Sequence, residues 1–300
     1  MSIQWNVATI ADDVPSRDRA REPEPAWWSA QVLARYPGLL LAGLFLALLV
    51  LAAVAPGTLV SGDPLEASAR DAFLAPSLQH WLGTDENGRD VLTRLVHGAG
   101  SSLLMGLAAT AIGLSAGVAL GLLAGLGRHW LDSLIMRFID VLLAFPDLLL
   151  ALVIITFWGQ GTLNAIIAVG IGGIPRYARL VRVQTQIVRN AAYVEAATTL
   201  GLSRARVIWR HVLPNAIKPV LILATIGIGG NIAAGASLGF LGFGAPPPAP
   251  EWGAMLAVGR NFLANAWWLV AAPGLVITLT VLSITALGRA LLRHSEGKHI

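Results

Sequence analysis

The sequence predicts an all-α integral membrane protein with six transmembrane helices. Three observations carry that expectation. Charged residues make up only 13% of the chain and hydrophobic ones 55%, where soluble domains carry roughly 25% charged residues. Mean hydropathy is +0.67. Six stretches approach or exceed the about 20 apolar residues that a helix needs to cross a bilayer core. Finally, the cationic residues are segregated. If the stretches span, 17 of the 21 lysines and arginines fall on the amino-terminal side, leaving only Arg70, Arg89, Arg94 and Arg260 on the other. The positive-inside rule then places both termini in the cytoplasm.

The expected spans are 38–60, 100–126, 134–158, 161–180, 217–241 and 267–288. Residues 1–37 form a polar tail, and Trp27, Trp28, Val32 and Leu33 are spaced for a short interfacial helix. That tail, with no small-residue cleavage site, argues against a cleaved signal peptide. An external loop over 61–99 holds "HWLGTDENGRDVLTRLVHGAG". Thr84 or Asp85 is placed to cap an amphipathic helix there, with Asp90 and Arg94 paired at i,i+4.

The third span contains "RFIDVLLAFPDLLLAL". An acid in a membrane helix costs about 2.5–3.5 kcal/mol on insertion scales, so Asp140 and Asp147 call for a reason. Asp140 is expected near the cytoplasmic interface and Asp147 deeper, with Pro146 kinking the helix between them. The fourth span is the weakest, and its arginines in "PRYARLVRV" are expected to snorkel to the interface. The second and fifth spans are dense in glycine, which suits close helix packing. Asn231, polar at mid-span, needs a partner or a wet cavity, and is the second candidate pathway residue beside Asp147. A proline-stiffened external loop over 242–266 follows, carrying Glu251 and Trp252.

Chemistry is scarce. The chain has no cysteine, which excludes thiolate metal sites and cysteine nucleophiles. It has no G-x-x-x-x-G-K-[ST] loop, no H-E-x-x-H and no G-x-S-x-G elbow. Nothing points to an enzyme, a metal site or a cofactor.

The polar loop over 181–216 is the exception to the apolar pattern. "YVEAATTLGLSRARVIWRHVLPN" reads as two short helices, with Asn190 and Ser203 as caps and Gly201 as the left-handed corner. Pro214 is expected to end the second helix. Arg204, Arg206 and Arg210 share one face of it; Val207, Ile208 and Val212 share another. A topology-setting loop, a DNA-binding helix-turn-helix and a docking element all fit this pattern. DNA binding fails on context, because the unit lacks a third helix and is tethered by spans on both sides.

At this point the residues carry a resemblance. Glu195-Ala196-Ala197, Gly201 with nine residues between it and His211, and the closing Leu213-Pro214 resemble the EAA loop of ABC importer permease subunits. "LGTDENGRDVLTRL" and "LGFLGFGAPPPAPEWGAML" are similar to signatures of the dipeptide/oligopeptide/nickel family, second permease type. The resemblance implies a type I importer permease fold in a bacterial cytoplasmic (inner) membrane. It implies a homologous second permease subunit, two ATPase subunits that bind ATP and Mg, and an extracytoplasmic substrate-binding protein. Glu195, Ala196, Ala197, Gly201, Ser203, Arg204, Arg206 and Arg210 would dock on an ATPase. Asp85, Arg89, Asp90, Glu251 and Trp252 would lie on the binding-protein side. Substrates would be short peptides, or alternatively nickel, a metal chelate or a solute such as glutathione. Two positions depart from the family pattern: Gly100 stands where an arginine is frequent, and Arg289 where an aspartate is. A self-sufficient secondary transporter would require inverted repeats, which are not evident.

Overall fold

Among the described residues the chain folds as a bundle of long apolar helices, with short helices at each end. The structure, a computed structural model, describes residues 37–295. The expected tail and interfacial helix over 1–37, Trp27 and Trp28 included, lie outside the described residues except for Pro37.

Helix α1 (Pro37–Val54) buries Leu39, Ala42, Leu49 and Ala52, while Leu40, Leu41, Leu44, Leu48 and Val54 remain exposed. An apolar helix exposed on most of its circumference is what a lipid solvent selects. Helix α2 (Val91–Leu126) runs unbroken for 36 residues, about 54 Å at 1.5 Å per residue. The amphipathic surface helix and the second span are therefore one element. Its cap is Asp90, whose carboxylate accepts from the Thr93 amide at 2.8 Å; Thr84 and Asp85 do not cap it. A row of glycines at 113, 117, 121 and 125 lies against helix α5 (Thr162–Arg189). A Cβ added at Gly117 would sit 2.5 Å from that of Tyr177. Only a small-residue face permits this approach.

The expected third span is broken. Helix α3 (His129–Leu143) and helix α4 (Asp147–Trp158) meet at a 92° bend. Neither reaches the about 30 Å of a bilayer core alone, at about 22 and 18 Å. Pro146, lacking an amide hydrogen, stands at the break and ends α3 rather than merely kinking it.

Helix α6 (Ala192–Thr199) and helix α7 (Arg204–Val207) form the polar loop. From α7 the chain continues through a π turn (Ile208–Val212) into helix α8 (Leu213–Phe240). Pro214 thus does not end the second loop helix. The wider turn, in which the Leu213 amide bonds the Ile208 carbonyl, accommodates a proline that has no amide to offer. Arg204–Phe240 is one helix of 37 residues. Helix α9 (Trp252–Gly259) and helix α10 (Trp268–Ser295) complete the chain.

Among the described residues, four helices are long and apolar enough to cross a membrane, and five if the bent pair counts as one span. The expected sixth, α5, is 28 residues long, but Arg176, Arg179, Arg182 and Arg189 make it too polar to qualify on its own sequence.

Candidate functional site

Three sites emerge, one at each end of the bundle and one in its middle. At the first end, α6 is closed by a Schellman motif. The Leu202 amide bonds the Ala197 carbonyl at 3.2 Å and the Gly201 amide bonds the Thr198 carbonyl at 3.0 Å. Gly201 adopts φ +82°, a left-handed conformation that suits glycine. Val194, Ala197, Val207, Val212 and Ala216 form a small buried cluster, with Leu126 of α2 and Leu202 packed on it. The loop thus has a core of its own, shared with the end of α2.

That core sorts the expected docking residues. Glu195, Ala196, Gly201, Ser203, Arg204, Arg206 and Arg210 are exposed, whereas Ala197 is buried. The caps differ from expectation. Ser203 occupies the cap position without a side-chain hydrogen bond, and Ala191 rather than Asn190 precedes α6. Asn190 instead ends α5. Arg204 donates to the Leu126 carbonyl at 3.2 Å, tying α7 to the end of α2. Sequence reasoning missed the apolar members of this surface. Leu200 is 80% exposed, Trp209 71% and Tyr193 47%. Their signal was available: all three fall off the buried stripe of Val194, Ala197, Val207 and Val212.

In the middle of the bundle, Asp147 and Asn231, the two expected pathway residues, line one cavity of about 120 Å³ together with Arg176. Arg176 donates to Asp147 at 2.8 Å. Asn231 donates to the Thr110 hydroxyl at 2.8 Å, so it has both a partner and a cavity. Asp147 is not a lone acid but the top of a ladder. Arg179 pairs with Asp140, and Arg182 grips both oxygens of Asp132, donating from Nε to Oδ1 and from Nη2 to Oδ2 at 2.6 Å. Arg176, Arg179 and Arg182 of α5 therefore each pair with an aspartate of α3 or α4. Each of these six charges thus has an opposite partner within the bundle.

At the opposite end, "DENGRD" closes a tight turn. Asp85 accepts from the Asn87 and Arg89 amides at 2.9 and 3.0 Å and from Arg89 Nε at 2.7 Å. Arg94 Nε lies 3.4 Å away. Arg94 thus pairs with Asp85 and not with Asp90, whose other oxygen contacts His80 Nδ1 at 3.0 Å. Arg94 also donates to the carbonyls of Pro64 and Pro248, fastening two loops together. Glu251 caps α9, accepting from the Gly253 and Ala254 amides at 2.8 and 2.9 Å. Burial pushes its carboxyl above the ordinary glutamate range, opposed by those two amides. The Trp252 indole donates to the Leu95 carbonyl at 3.0 Å. Asp85, Arg89, Glu251 and Trp252 are all buried; the structure places them inside this end, where they hold the loops to the helices. Gly100 lies beside Ala53, where a Cβ would approach the Ala53 carbonyl at 3.3 Å, so a larger residue would crowd α1.

The profile of the family described as "Binding-protein-dependent transport system inner membrane component" matches residues 117–298. The chain belongs to this family. The permease is 42% identical to the di/tripeptide transport system permease protein DppC of Pseudomonas aeruginosa (strain UCBPP-PA14), over 90% of this chain and 91% of that one. It is 40% identical to the glutathione transport system permease protein GsiD of Shigella boydii serotype 4 (strain Sb227), over 96% and 95%. Among solved structures, inward-facing MetNI methionine ABC transporter chains resemble it in fold, with TM-score 0.55 at 20% identity, covering 67% of this chain and 95% of theirs. An amino acid ABC transporter solved with histidines matches equally, at 18% identity and TM-score 0.55 over 68% and 94%. The chain is thus a multi-pass inner-membrane permease subunit of an ABC importer and not an enzyme. It works as one component of a multi-subunit system with a partner permease, ATPases and a binding protein.

Proposed function

We propose that this permease forms half of the translocation pathway for short peptides and couples to a cytoplasmic ATPase through the loop bearing Glu195 and Gly201. The continuous helix Arg204–Phe240 carries the reading. It joins the exposed basic surface of the loop without a break to the wall of the cavity lined by Asn231. A push on α7 then moves a pathway wall without being lost in a flexible joint. Moving a two-state equilibrium from 1:99 to 99:1 needs about 5.5 kcal/mol of differential binding, which a capped, packed element can transmit. The chain lacks a phosphate loop, so that energy comes from partner ATPases holding ATP and Mg. On this reading α5 is the sixth span, made tolerable by its aspartate partners, and both termini are cytoplasmic.

The peptide assignment rests on the relatives named for di/tripeptide and dipeptide transport, at 42% and 39% identity. Glutathione or a similar peptide-like solute is the second reading, supported by the 40% identity to the glutathione system permease.

Glu195→Lys and Trp209→Ala test the coupling surface. Both variants should insert normally, because both side chains are exposed. Trp209→Ala should weaken ATPase association about 30-fold, the size of an interface hot spot, and Glu195→Lys should abolish uptake. Wild-type uptake and ATPase retention in both variants would refute the docking role.

A further inference from the structure

The three Asp–Arg pairs along α5 are not equivalent. The lowest is closed: Arg182 engages both oxygens of Asp132 with two nitrogens, and the side chains are 28% and 14% exposed. The highest is open: Arg176 makes a single bond to Asp147 Oδ2, and the side chains are 64% and 56% exposed. A guanidinium carries five N–H donors and a carboxylate accepts at both oxygens. Among the described residues, then, most of the bonding capacity of Arg176 and Asp147 is unused. Arg176 and Gly230 line two spaces at once, the cavity of about 120 Å³ and a groove of about 730 Å³ that also reaches Arg179. The smaller is below the roughly 300–1,000 Å³ of small-molecule sites, so it accepts one end of a solute and leaves the rest to the groove.

We propose that Asp147 and Arg176 exchange their mutual bond for the two opposite charges of a zwitterionic solute, Asp147 taking the ammonium and Arg176 the carboxylate. Charge balance selects this class. The empty site is neutral, and a bound zwitterion keeps it neutral while turning one ion pair into two. An anion would leave Asp147 uncompensated, and a cation would leave Arg176 so. Either leaves one charge of the pair without its counter-charge, which a zwitterion avoids. When the solute leaves, the original pair re-forms and closes the way back. The inference rests on the importer reading and adds to it which solute groups are recognised.

The test uses the membrane complex of both permeases and ATPases, without the binding protein, in nanodiscs. Dissociation constants are measured for dialanine, N-acetyl-dialanine and dialanine amide. Wild type should bind dialanine about 10-fold or more tightly than either blocked peptide, the scale of one charge-assisted hydrogen bond. Arg176→Gln should lose the preference over the amide but keep that over the acetyl form, and Asp147→Asn should do the reverse. Arg176→Lys should restore the wild-type order. Equal affinity for the three peptides in wild type, undetectable binding, or loss of affinity in the same proportion for all three in both variants would overturn the proposal. ATP-driven dialanine uptake by the complete importer is measured in parallel. Uptake without this discrimination sinks the zwitterion site alone, and no uptake sinks the peptide-importer reading with it.

Discussion

Replacing Asp85 with asparagine removes one charge and leaves the shape of the turn nearly unchanged. The amide oxygen still accepts from the Asn87 and Arg89 amides, which bond Oδ1. What is lost is the anion at Oδ2, 2.7 Å from Arg89 Nε and 3.4 Å from Arg94 Nε. Both arginine side chains are below 10% exposed, so water does not replace the carboxylate. Breaking a buried pair from one side costs about 3–5 kcal/mol. Glu86 still reaches Arg89 at 2.9 Å and two carbonyls still hold Arg94, so the lower end, about 3 kcal/mol, applies. At roughly 2–4 °C per kcal/mol for a chain of this size, the melting temperature in detergent should fall by about 6–12 °C. Thermal unfolding followed by tryptophan fluorescence measures it, since Trp252 and Trp268 both pack against this end. Asp85→Asn combined with Arg94→Met should be less destabilised than Asp85→Asn alone, because one orphaned charge is gone. A shift under 2 °C for Asp85→Asn, or a double variant worse by the sum of both, would refute the charge argument.

Glu251 makes stability depend on pH. Its folded-state carboxyl is raised by burial, so the folded chain binds more protons than the unfolded one. Its contribution is full at low pH and is lost as pH rises above the ordinary glutamate range of about 4.3 toward the raised value. The difference in melting temperature between wild type and Glu251→Gln should therefore become less favourable to wild type as pH rises through that window; a pH-independent difference contradicts the assignment. At Gly201, alanine must adopt φ +82°, at a cost of about 1 kcal/mol or more, whereas asparagine tolerates that region. Gly201→Asn should therefore retain more uptake than Gly201→Ala, and equal uptake would argue against the left-handed corner.

What the chain reveals to a reader of its sequence divides by range. Apolar runs, Gly201 and the apolar face carrying Val207 and Val212 were legible because each depends on local propensity and periodicity; Ala197, expected on the docking surface, is buried instead. The ladder was not. Asp147 and Arg176 are 29 residues apart, and Asp140 and Arg179 are 39 apart; only the packing of α3 and α4 on α5 brings them together. The continuous helix through Pro214 was missed because a π turn accommodates the proline without breaking the helix. The burial of Glu251 and Trp252 was not legible in their proline-rich loop, because it depends on Glu251 capping α9 and on Trp252 reaching α2, 157 residues away in sequence. Trp209 was passed over because its basic neighbours drew attention to charge alone.

The central claim is that this permease transports only as part of an ATP-driven assembly, driven through its loop. Proteoliposomes holding the second permease, both ATPases and the binding protein, with wild-type or Glu195→Lys permease, measure it by uptake of labelled dialanine. Uptake should require ATP and every subunit and should vanish with Glu195→Lys while the ATPases still hydrolyse ATP. Uptake by this chain alone, without ATPases, would contradict the account.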